Sequence, residues 1–187
     1  MERRLAAELG TSHIPVREAL ARLTDEGLVE QRPHRSARVA DLDERQLDEL
    51  VSLRTALEQL AVARARERLE PRDVDELRDV VVQMERAAER GDARRVLALD
   101  RRFHERLWEL SDHALLLSIA TQLRARIDAF LHAVLLGMSR DELRAQAREH
   151  VTLLDAIVGD DAAAQTAVAA HIATAADRLR TMWATKR

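Results

Sequence analysis

The sequence predicts a mainly α-helical fold, in which a winged helix-turn-helix precedes an all-α, antiparallel bundle of six helices. Three observations support this fold class. Only 5 Gly and 3 Pro interrupt 187 residues, and aromatic residues make up 2%, so the core has to form from Leu, Val and Ala between helices. Two short helical segments near the N-terminus lead into a candidate hairpin. From Asp43 onward, apolar residues recur with helical spacing between short breaks.

The first domain, residues 1–40, is predicted to run helix, tight turn, helix and two short strands. Its first helix covers residues 2–9 and ends at Gly10. A second helix follows the break at residues 11–13 and continues to about Glu26, with Pro15 in its first turn, where a missing N–H costs nothing. The two strands are predicted at residues 28–31 and 36–39, around a turn at residues 32–35.

The second domain, residues 43–185, contains six predicted helices. Pro, Gly, Ser and Asp residues mark the breaks between them. Links this short place consecutive helices antiparallel, which predicts a bundle. The predicted helices span residues 43–69, 71–90, 92–111, 113–137, 140–158 and 161–184.

Composition limits the classes of protein that fit. The chain has no Cys, which suits a reducing compartment and excludes disulfides and thiolate metal ligands. It has neither an apolar run of 18 residues nor a signal peptide, so we expect a cytoplasmic protein without a membrane partner. The net charge is −3, but residues 1–40 hold seven Arg against six acidic residues, which permits nucleic-acid binding there.

The order of elements in the first domain indicates a DNA-binding role. The second helix of a helix-turn-helix enters the major groove with its N-terminus first, and the wing tip contacts the backbone or minor groove. Ser12, His13 and Arg17 lie at that N-terminus, while His34 and Arg35 lie at the wing tip. All of these side chains can reach phosphates or base edges. A helical hairpin with ordinary surface charge is the alternative interpretation.

The segment LAAELGTSHIPVREALARLTDEGLVEQRPHRSARVA closely resembles the DNA-binding domain of the GntR family of bacterial transcription regulators, and the match spans residues 3–40. The resemblance implies a double-stranded DNA operator as partner. It also implies that Arg3 contacts phosphate, that Ser12, His13 and Arg17 face the groove, and that Arg35 lies at the wing tip.

Three features depart from the family pattern. His13 stands in place of the usual Arg, which removes a permanently charged bidentate donor, and Ser36 stands in place of the usual wing Gly. The first helix of the family's domain is missing, because it would precede residue 1. We therefore expect translation to start upstream of Met1; a protein that binds DNA poorly is the alternative. A core without that helix is expected to expose Leu5, Leu9 and Leu20.

Four residues of the second domain form a candidate metal site. Asp100 and His104 lie four residues apart on one predicted helix and therefore share a face, while His150 and His171 interrupt the apolar stripes of two other helices. Buried imidazoles and a carboxylate need partners, which a divalent cation can supply. Three nitrogen ligands and one oxygen suit Zn, Ni, Mn or Fe, with Zn favoured. Hydrogen-bonded core histidines are the alternative.

The segments DRRFHERL, EHVTLLDAIVGDD and AVAAHI resemble the FCD effector domain of the FadR subfamily of GntR regulators, over residues 43–184. The resemblance implies that Asp100, His104, His150 and His171 bind a divalent metal ion. We further expect a homodimer that responds to a small carboxylic-acid effector, and the resemblance implies that it is a repressor.

Arg54 interrupts the apolar stripe of the first bundle helix and is expected to point inward. A buried guanidinium requires a carboxylate partner. One interpretation is an acidic effector beside the metal, which makes Arg54 an effector-binding residue. The alternative is a side chain that pairs with Glu58 one turn away or extends its guanidinium to solvent.

These observations together predict a metal-dependent, effector-responsive DNA-binding transcription regulator rather than an enzyme. A metalloenzyme is one alternative, because a metal ion with an open position can activate water, and Glu105 and Glu149 adjoin two of the candidate ligands. A metal-binding helical module that does not bind DNA is the other alternative.

Overall fold

The computed structural model describes residues 2–25, 29–30, 37–39 and 43–184. The chain divides into two compact units, Met1–Asp43 and Glu44–Arg187. The sequence predicts domains of residues 1–40 and 43–185. We call them the N-terminal unit and the helical bundle, and describe each by itself.

The N-terminal unit contains two helices and a small antiparallel sheet. In the sheet Val29 lies opposite Val39, and Glu30 lies opposite Arg38. These strands lie within the predicted ranges, while the predicted turn at residues 32–35, with His34 and Arg35, and Ser36 lie outside the described residues. The elements are α1 (Glu2–Glu8), α2 (His13–Asp25), β1 (Val29–Glu30) and β2 (Arg38–Val39).

Gly10 ends α1 as the sequence predicts. Its φ of 64° lies in the left-handed region, which glycine adopts without strain. The N–H of Thr11 then donates to the carbonyl of Ala6 at 2.9 Å, and the N–H of Gly10 donates to that of Ala7 at 3.3 Å. This pair of bonds satisfies the last carbonyls of the helix and turns the chain towards α2.

The small core of the N-terminal unit corrects one expectation. Leu20 was expected to be exposed, but it is buried against Ala6 and Val16 and retains 7% of its accessible surface. The short helix α1 supplies this cover. Leu5 is half-buried, whereas Leu9 is exposed as expected, at 65%.

The helical bundle has the six helices that the sequence predicts, with ends within three residues of the predicted ones at every helix. They are α3 (Glu44–Arg66), α4 (Pro71–Glu89), α5 (Ala93–Leu110), α6 (Ala114–Gly137), α7 (Arg140–Val158) and α8 (Asp161–Ala184).

Side-chain caps fix the starts of several bundle helices. Asp92 accepts a hydrogen bond from the backbone N–H of Arg95 at 3.0 Å at the start of α5. Ser139 and Glu142 cap α7 reciprocally, because each side chain accepts from the backbone N–H of the other residue. Such caps allow links of only a few residues, and the consecutive helices α4 and α5, α5 and α6, and α7 and α8 pack against each other.

In the bundle, α4 packs against α5 and α7, α3 packs against α5 and α8, α6 packs against α5, and α7 packs against α8. This arrangement places α5 and α7 between other helices, so their inward side chains are shielded from solvent. No helix among the described residues is long and apolar enough to span a membrane. The main core cluster comprises Val62, Leu77, Val81, Phe103, Leu107, Leu153, Leu154, Ile157, Ala164, Val168 and Ile172.

Candidate functional site

The four predicted metal ligands come together inside the bundle. Asp100 and His104 project from successive turns of α5, His150 projects from α7 and His171 from α8. Their accessible fractions are 2%, 2%, 0% and 6%, in that order. Each occupies a position where the helical spacing of its apolar neighbours turns it inward, and the packing of α5, α7 and α8 then brings the four side chains together.

The geometry of this group suits a single cation. Each of the four residues offers one nitrogen or oxygen atom that could bind a metal ion. These four atoms all lie within 4.8 Å of one another. The His150 and His171 rings have centroids 4.6 Å apart, and the His104 and His171 rings are stacked at 5.3 Å. Small side-chain rotations would bring such atoms to the metal–ligand bond lengths of about 2.0–2.2 Å that zinc takes.

The neighbours of His104 fix its tautomer. Its Nδ1 lies 3.1 Å from a carboxylate oxygen of Glu58, which can only accept a hydrogen bond, so Nδ1 carries the proton. Its Nε2 lies 3.4 Å from Nη2 of Arg54, which can only donate. The Nε2 atom therefore offers a lone pair, as a metal ligand must.

In His150, as in His104, Nδ1 is the donor nitrogen, but its partner is different. This Nδ1 donates to the carbonyl of Gln146 at 3.0 Å, so Nε2 is the nitrogen that can offer a lone pair. That Nε2 lies 3.1 Å from Oδ1 of Asp100. Two acceptor atoms at this distance repel each other unless a proton or a metal ion lies between them.

Two buried nitrogens of the group also need a partner. Among the residues that the structure describes, neither Nε2 of His150 nor Nδ1 of His171 has a hydrogen-bond partner. An orphaned buried nitrogen is costly, and coordination to a cation removes that cost. The donor set and the orphaned atoms therefore fit a divalent ion that accepts three nitrogens and one oxygen.

Two of the imidazoles are held neutral by burial. Desolvation lowers the pKa of His104, and the nearby carboxylate of Glu58 opposes this effect. Desolvation also lowers the pKa of His171 well below its usual range, and the charges of His150 and His104 lower it further. A neutral imidazole is the form that binds metal.

Asp100 is kept ionised by a buried cation that sequence reasoning missed. Burial alone would raise its pKa, but Arg124 hydrogen-bonds its Oδ2 and holds the pKa well below the usual range. Arg124 is 1% exposed, pairs with Asp128 as well, and has a raised pKa despite its burial. The sequence does contain a pattern that could have identified Arg124, because this residue interrupts the apolar stripe of α6, as Arg54 does in α3. That stripe comprises Leu116, Ala120, Ile127, Leu131 and Val134.

Arg54 points inward, as expected, and is 6% exposed. Its Nε lies 3.6 Å from Oε1 of Glu58, so the partner weighed in the sequence analysis is in place. Burial lowers the pKa of Arg54, and Glu58 opposes this effect. Burial would raise the pKa of Glu58, but His104, Arg54 and the indole N–H of Trp108 lower it to about 2. Glu58 is therefore a buried carboxylate that joins Arg54 to a candidate metal ligand.

The two glutamates beside the candidate ligands are paired with arginines. Glu105 accepts from Nε of Arg101 at 2.8 Å, and Glu149 accepts from Nη1 of Arg178 at 3.1 Å. Arg178 also donates to Gln146. Both carboxylates are therefore in ion pairs with arginines, and Glu149 also lies 3.9 Å from Nδ1 of the candidate ligand His171.

The predicted DNA-contacting residues of the N-terminal unit lie on its surface where they are described. Arg3 is exposed on α1, Ser12 precedes α2, and His13 and Arg17 are exposed in the first turns of α2. Arg35 lies outside the described residues. The exposed N-terminus of α2 thus presents a hydroxyl, an imidazole and a guanidinium on consecutive turns.

Two family models match this chain. Residues 1–39 match the model for bacterial regulatory proteins of the gntR family, and residues 49–174 match the FCD domain. The chain belongs to the GntR family of bacterial regulatory proteins. As a GntR regulator with an FCD domain, it is a DNA-binding transcription regulator.

Named relatives of this GntR chain are transcription regulators rather than enzymes. The HTH-type transcriptional regulator McbR of Escherichia coli is 34% identical over 157 residues, which cover 84% of this chain and 71% of that protein. A protein of Paenarthrobacter nicotinovorans, named as the probable D-xylose utilization operon transcriptional repressor, is 34% identical over 92% of this chain and 75% of its own length.

Solved structures of GntR regulators have the same fold. Escherichia coli McbR/YncC superposes with a TM-score of 0.82 and 30% identity, covering 98% of this chain and 87% of that one. A GntR regulator from Rhodococcus sp. RHA1 has a TM-score of 0.76 at 18% identity, covering 97% of this chain and 86% of that one, which is a likeness of fold alone. These neighbours agree with the predicted combination of helix-turn-helix and helical bundle.

Proposed function

We propose that this GntR regulator is a metal-dependent repressor that binds an operator as a homodimer and responds to a small organic acid. One observation carries the metal-dependent part: the ligand atoms of Asp100, His104, His150 and His171 lie within 4.8 Å of one another in the bundle interior. That the protein represses transcription is supported by the Paenarthrobacter nicotinovorans relative, which is named as a probable transcriptional repressor.

The donor set supports zinc first, with nickel, manganese and iron as the other candidates. Three imidazoles and one carboxylate complete a tetrahedral site for zinc and leave positions open for ligands on a metal that prefers a higher coordination number. When bound, such an ion supplies positive charge in a dry interior, where it attracts a carboxylate.

In this proposal the start of α2 enters the major groove of the operator. Ser12, His13 and Arg17 contact base edges or phosphates there, while Arg3 contacts phosphate and Arg35 contacts the backbone from the wing. The exposure of the four described side chains supports this assignment.

The homodimer is supported by large apolar side chains on the surface of the bundle. Leu53 and Leu60 of α3 are 47% and 45% exposed, and Leu115 and Ile119 of α6 are 65% and 39% exposed. The helices α3 and α6 pack against each other. Exposed apolar side chains on neighbouring helices are typical of a surface that a partner covers, and a two-fold dimer suits a palindromic operator.

The organic acid is assigned to the neighbourhood of Arg54 and the metal. A carboxylate there would meet a guanidinium and a divalent cation together, and would compete with Glu58 for Arg54. Because α3, α5, α7 and α8 all contribute to this neighbourhood, its occupancy can favour one packing of the bundle over another. Effector affinity and operator affinity are then coupled reciprocally.

The test is to load the purified chain with zinc, remove excess metal and measure bound metal by elemental analysis. We expect about one ion per chain. We also expect a large loss of bound metal in His171→Ala and none in the control His13→Ala, whose ring is exposed in the N-terminal unit. Equal metal in parent and His171→Ala would overturn the metal assignment. Operator binding, measured separately by gel shift, tests the DNA-binding part.

A further inference from the structure

Gln146 is a buried residue that contacts two of the four candidate metal ligands, and it is not one of the site residues predicted from the sequence. It lies on α7, one turn before His150, and retains 4% of its accessible surface. Its backbone carbonyl accepts from Nδ1 of His150 at 3.0 Å, and its side-chain Nε2 donates to Oδ1 of Asp100 at 3.5 Å. Gln146 therefore joins a candidate ligand of α7 to a candidate ligand of α5.

The orientation of the Gln146 amide is fixed by Arg178 of α8. The guanidinium donates to Oε1 of Gln146, and because a guanidinium can only donate, the amide oxygen has to face Arg178. The amide N–H groups then face the ionised carboxylate of Asp100, which can only accept. Arg178 is held in turn by the carboxylate of Glu149, to which it donates from both terminal nitrogens. A reversed amide would lose its contacts with both Arg178 and Asp100.

The carboxylate oxygen that Gln146 contacts is the one that faces the other candidate ligands. Oδ2 of Asp100 accepts from Arg124, whereas Oδ1 lies 3.1 Å from Nε2 of His150, the nitrogen that can offer a lone pair. A cation bound by both residues therefore has to lie beside Oδ1. Because the side chain of Gln146 is neutral, it supports this oxygen without adding a second carboxylate beside it.

We propose that Gln146 is a positioning residue that directs Oδ1 of Asp100 towards His150 and determines which metal ion the site prefers. The inference rests on the metal site of the proposed function. With three imidazoles and one carboxylate, the donor set favours an ion that binds nitrogen well, such as zinc. A carboxylate in place of the Gln146 amide would add a second oxygen donor beside Asp100, and oxygen donors suit manganese better.

The test compares the zinc and manganese affinities of the full chain, each measured by competition with a chelator of known affinity. Gln146→Met keeps the length of the side chain but removes its donor, and we expect it to weaken zinc binding about tenfold or more. Gln146→Glu is expected to weaken zinc binding and to tighten manganese binding. The ratio of the two dissociation constants should then change by at least about tenfold in favour of manganese. A purely structural defect would weaken both metals alike and leave this ratio unchanged.

The matched controls are Gln83→Met and Gln83→Glu, because Gln83 is exposed on α4 and its side chain accepts from Arg95 at 3.0 Å. Both controls should bind zinc and manganese as the parent does. Circular dichroism shows whether each variant keeps its helices. If Gln146→Glu does not fold, the absorption spectrum of Co²⁺ in Gln146→Met decides, since a displaced Asp100 carboxylate changes the ligand field of the ion. That spectrum should differ from the spectrum of the parent, and the spectrum of Gln83→Met should not.

Zinc binding by the parent with unchanged affinities in both Gln146 variants would overturn the role of Gln146 and leave the proposed metal site in place. An equal loss of affinity for zinc and manganese in Gln146→Glu would show that Gln146 supports the fold and not the metal preference, which also overturns the inference. A Co²⁺ spectrum of Gln146→Met identical to that of the parent counts against the positioning of Asp100. If the parent binds neither metal, the proposed metal site itself fails, and this inference fails with it.

Discussion

Glu58 and His104 are 46 positions apart in the sequence, yet a carboxylate oxygen of Glu58 accepts the Nδ1 proton of His104 at 3.1 Å in the bundle interior. This contact orients the imidazole and leaves Nε2 without a proton, 3.4 Å from Nη2 of Arg54. Because Glu58 also pairs with Arg54, one carboxylate connects the candidate metal site to a buried guanidinium.

The first prediction concerns this carboxylate. Glu58→Gln is expected to lower zinc affinity about 10- to 100-fold, because the neutral amide raises the basicity of His104 less and orients it less firmly. The measurement is a competition titration against a chelator of known affinity, with stoichiometry determined in the same experiment.

The matched control for this prediction is Glu105→Gln, which adjoins His104 in the sequence but pairs with Arg101 at the surface of the bundle. Zinc affinity should be unchanged in that variant. A Glu58→Gln protein that folds and binds zinc as tightly as the parent would show that Glu58 does not support the ligand.

Much of the bundle was predictable because its signals are local. Capping residues and breaks such as Pro71 and Gly91 mark helix ends, and apolar spacing marks the inward face of each helix. A helix has only one inward face, so His150 and His171 had to point towards the core, and Asp100 had to share a face with His104. To predict that all four lie together, the packing of the helices has to be known, and the family resemblance supplied that information.

The partners of these residues were harder to predict because they depend on contacts between helices. Arg124 lies in an apolar stripe, but its pairing with Asp100 joins α6 to α5, and no spacing rule specifies such a pair. The same holds for the hydrogen bond of Trp108 to Glu58. Exposure of Leu20 was wrongly expected because the cover provided by the short helix α1 was underestimated.

The second prediction concerns stability. A metal ion that binds only the folded bundle raises its free energy of unfolding, by about 2.7 kcal/mol when free metal is 100 times its dissociation constant. Zinc should therefore raise the melting temperature of the parent, and a chelator should reverse the increase. His150→Ala should lower metal content and abolish the zinc-dependent increase together. Calorimetry with and without zinc measures the shift, and a zinc-dependent shift that survives in His150→Ala would exclude this residue as a ligand.

The third prediction concerns pH in the metal-free protein. Burial lowers the pKa of His104 and His171, so both rings stay neutral in the folded state below the unfolded pKa of about 6.5, while the unfolded chain takes up protons. The unfolded state then binds more protons, and the free energy of unfolding falls as pH drops below that value. The limit is about 1.4 kcal/mol per pH unit for each imidazole.

The carboxylates of the site affect stability in a separate, lower range of pH. The lowered pKa values of Asp100 and Glu58 contribute stability that is present above their unfolded values of about 4 and is lost only as the pH falls further. Urea unfolding between pH 7.5 and 5 in the presence of a chelator therefore isolates the histidines. His171→Gln should reduce the slope, and His13→Gln, whose ring is exposed, should not. A flat profile in the parent would contradict the prediction.

The fourth prediction concerns the operator. Arg17 is exposed in the second turn of α2, where a helix-turn-helix presents side chains to base edges. Arg17→Ala is expected to weaken binding to the operator by about 1–3 kcal/mol, or roughly 5- to 150-fold, and to reduce the preference for operator over unrelated DNA. Fluorescence anisotropy with both DNAs at one fixed salt concentration gives the two affinities, because salt alone changes them greatly.

Arg22→Ala is the control for Arg17→Ala, since Arg22 is equally exposed on α2 but lies near its C-terminal end. It removes the same charge, so a purely electrostatic contribution to DNA binding would fall by a similar amount in both variants. Arg17→Ala should lower specificity as well as affinity only if Arg17 contacts base edges. Zinc content and helical circular dichroism should be unchanged in both proteins, because the substitutions lie outside the bundle. If the two variants lose affinity equally and keep the same preference for operator, the start of α2 does not carry the sequence recognition.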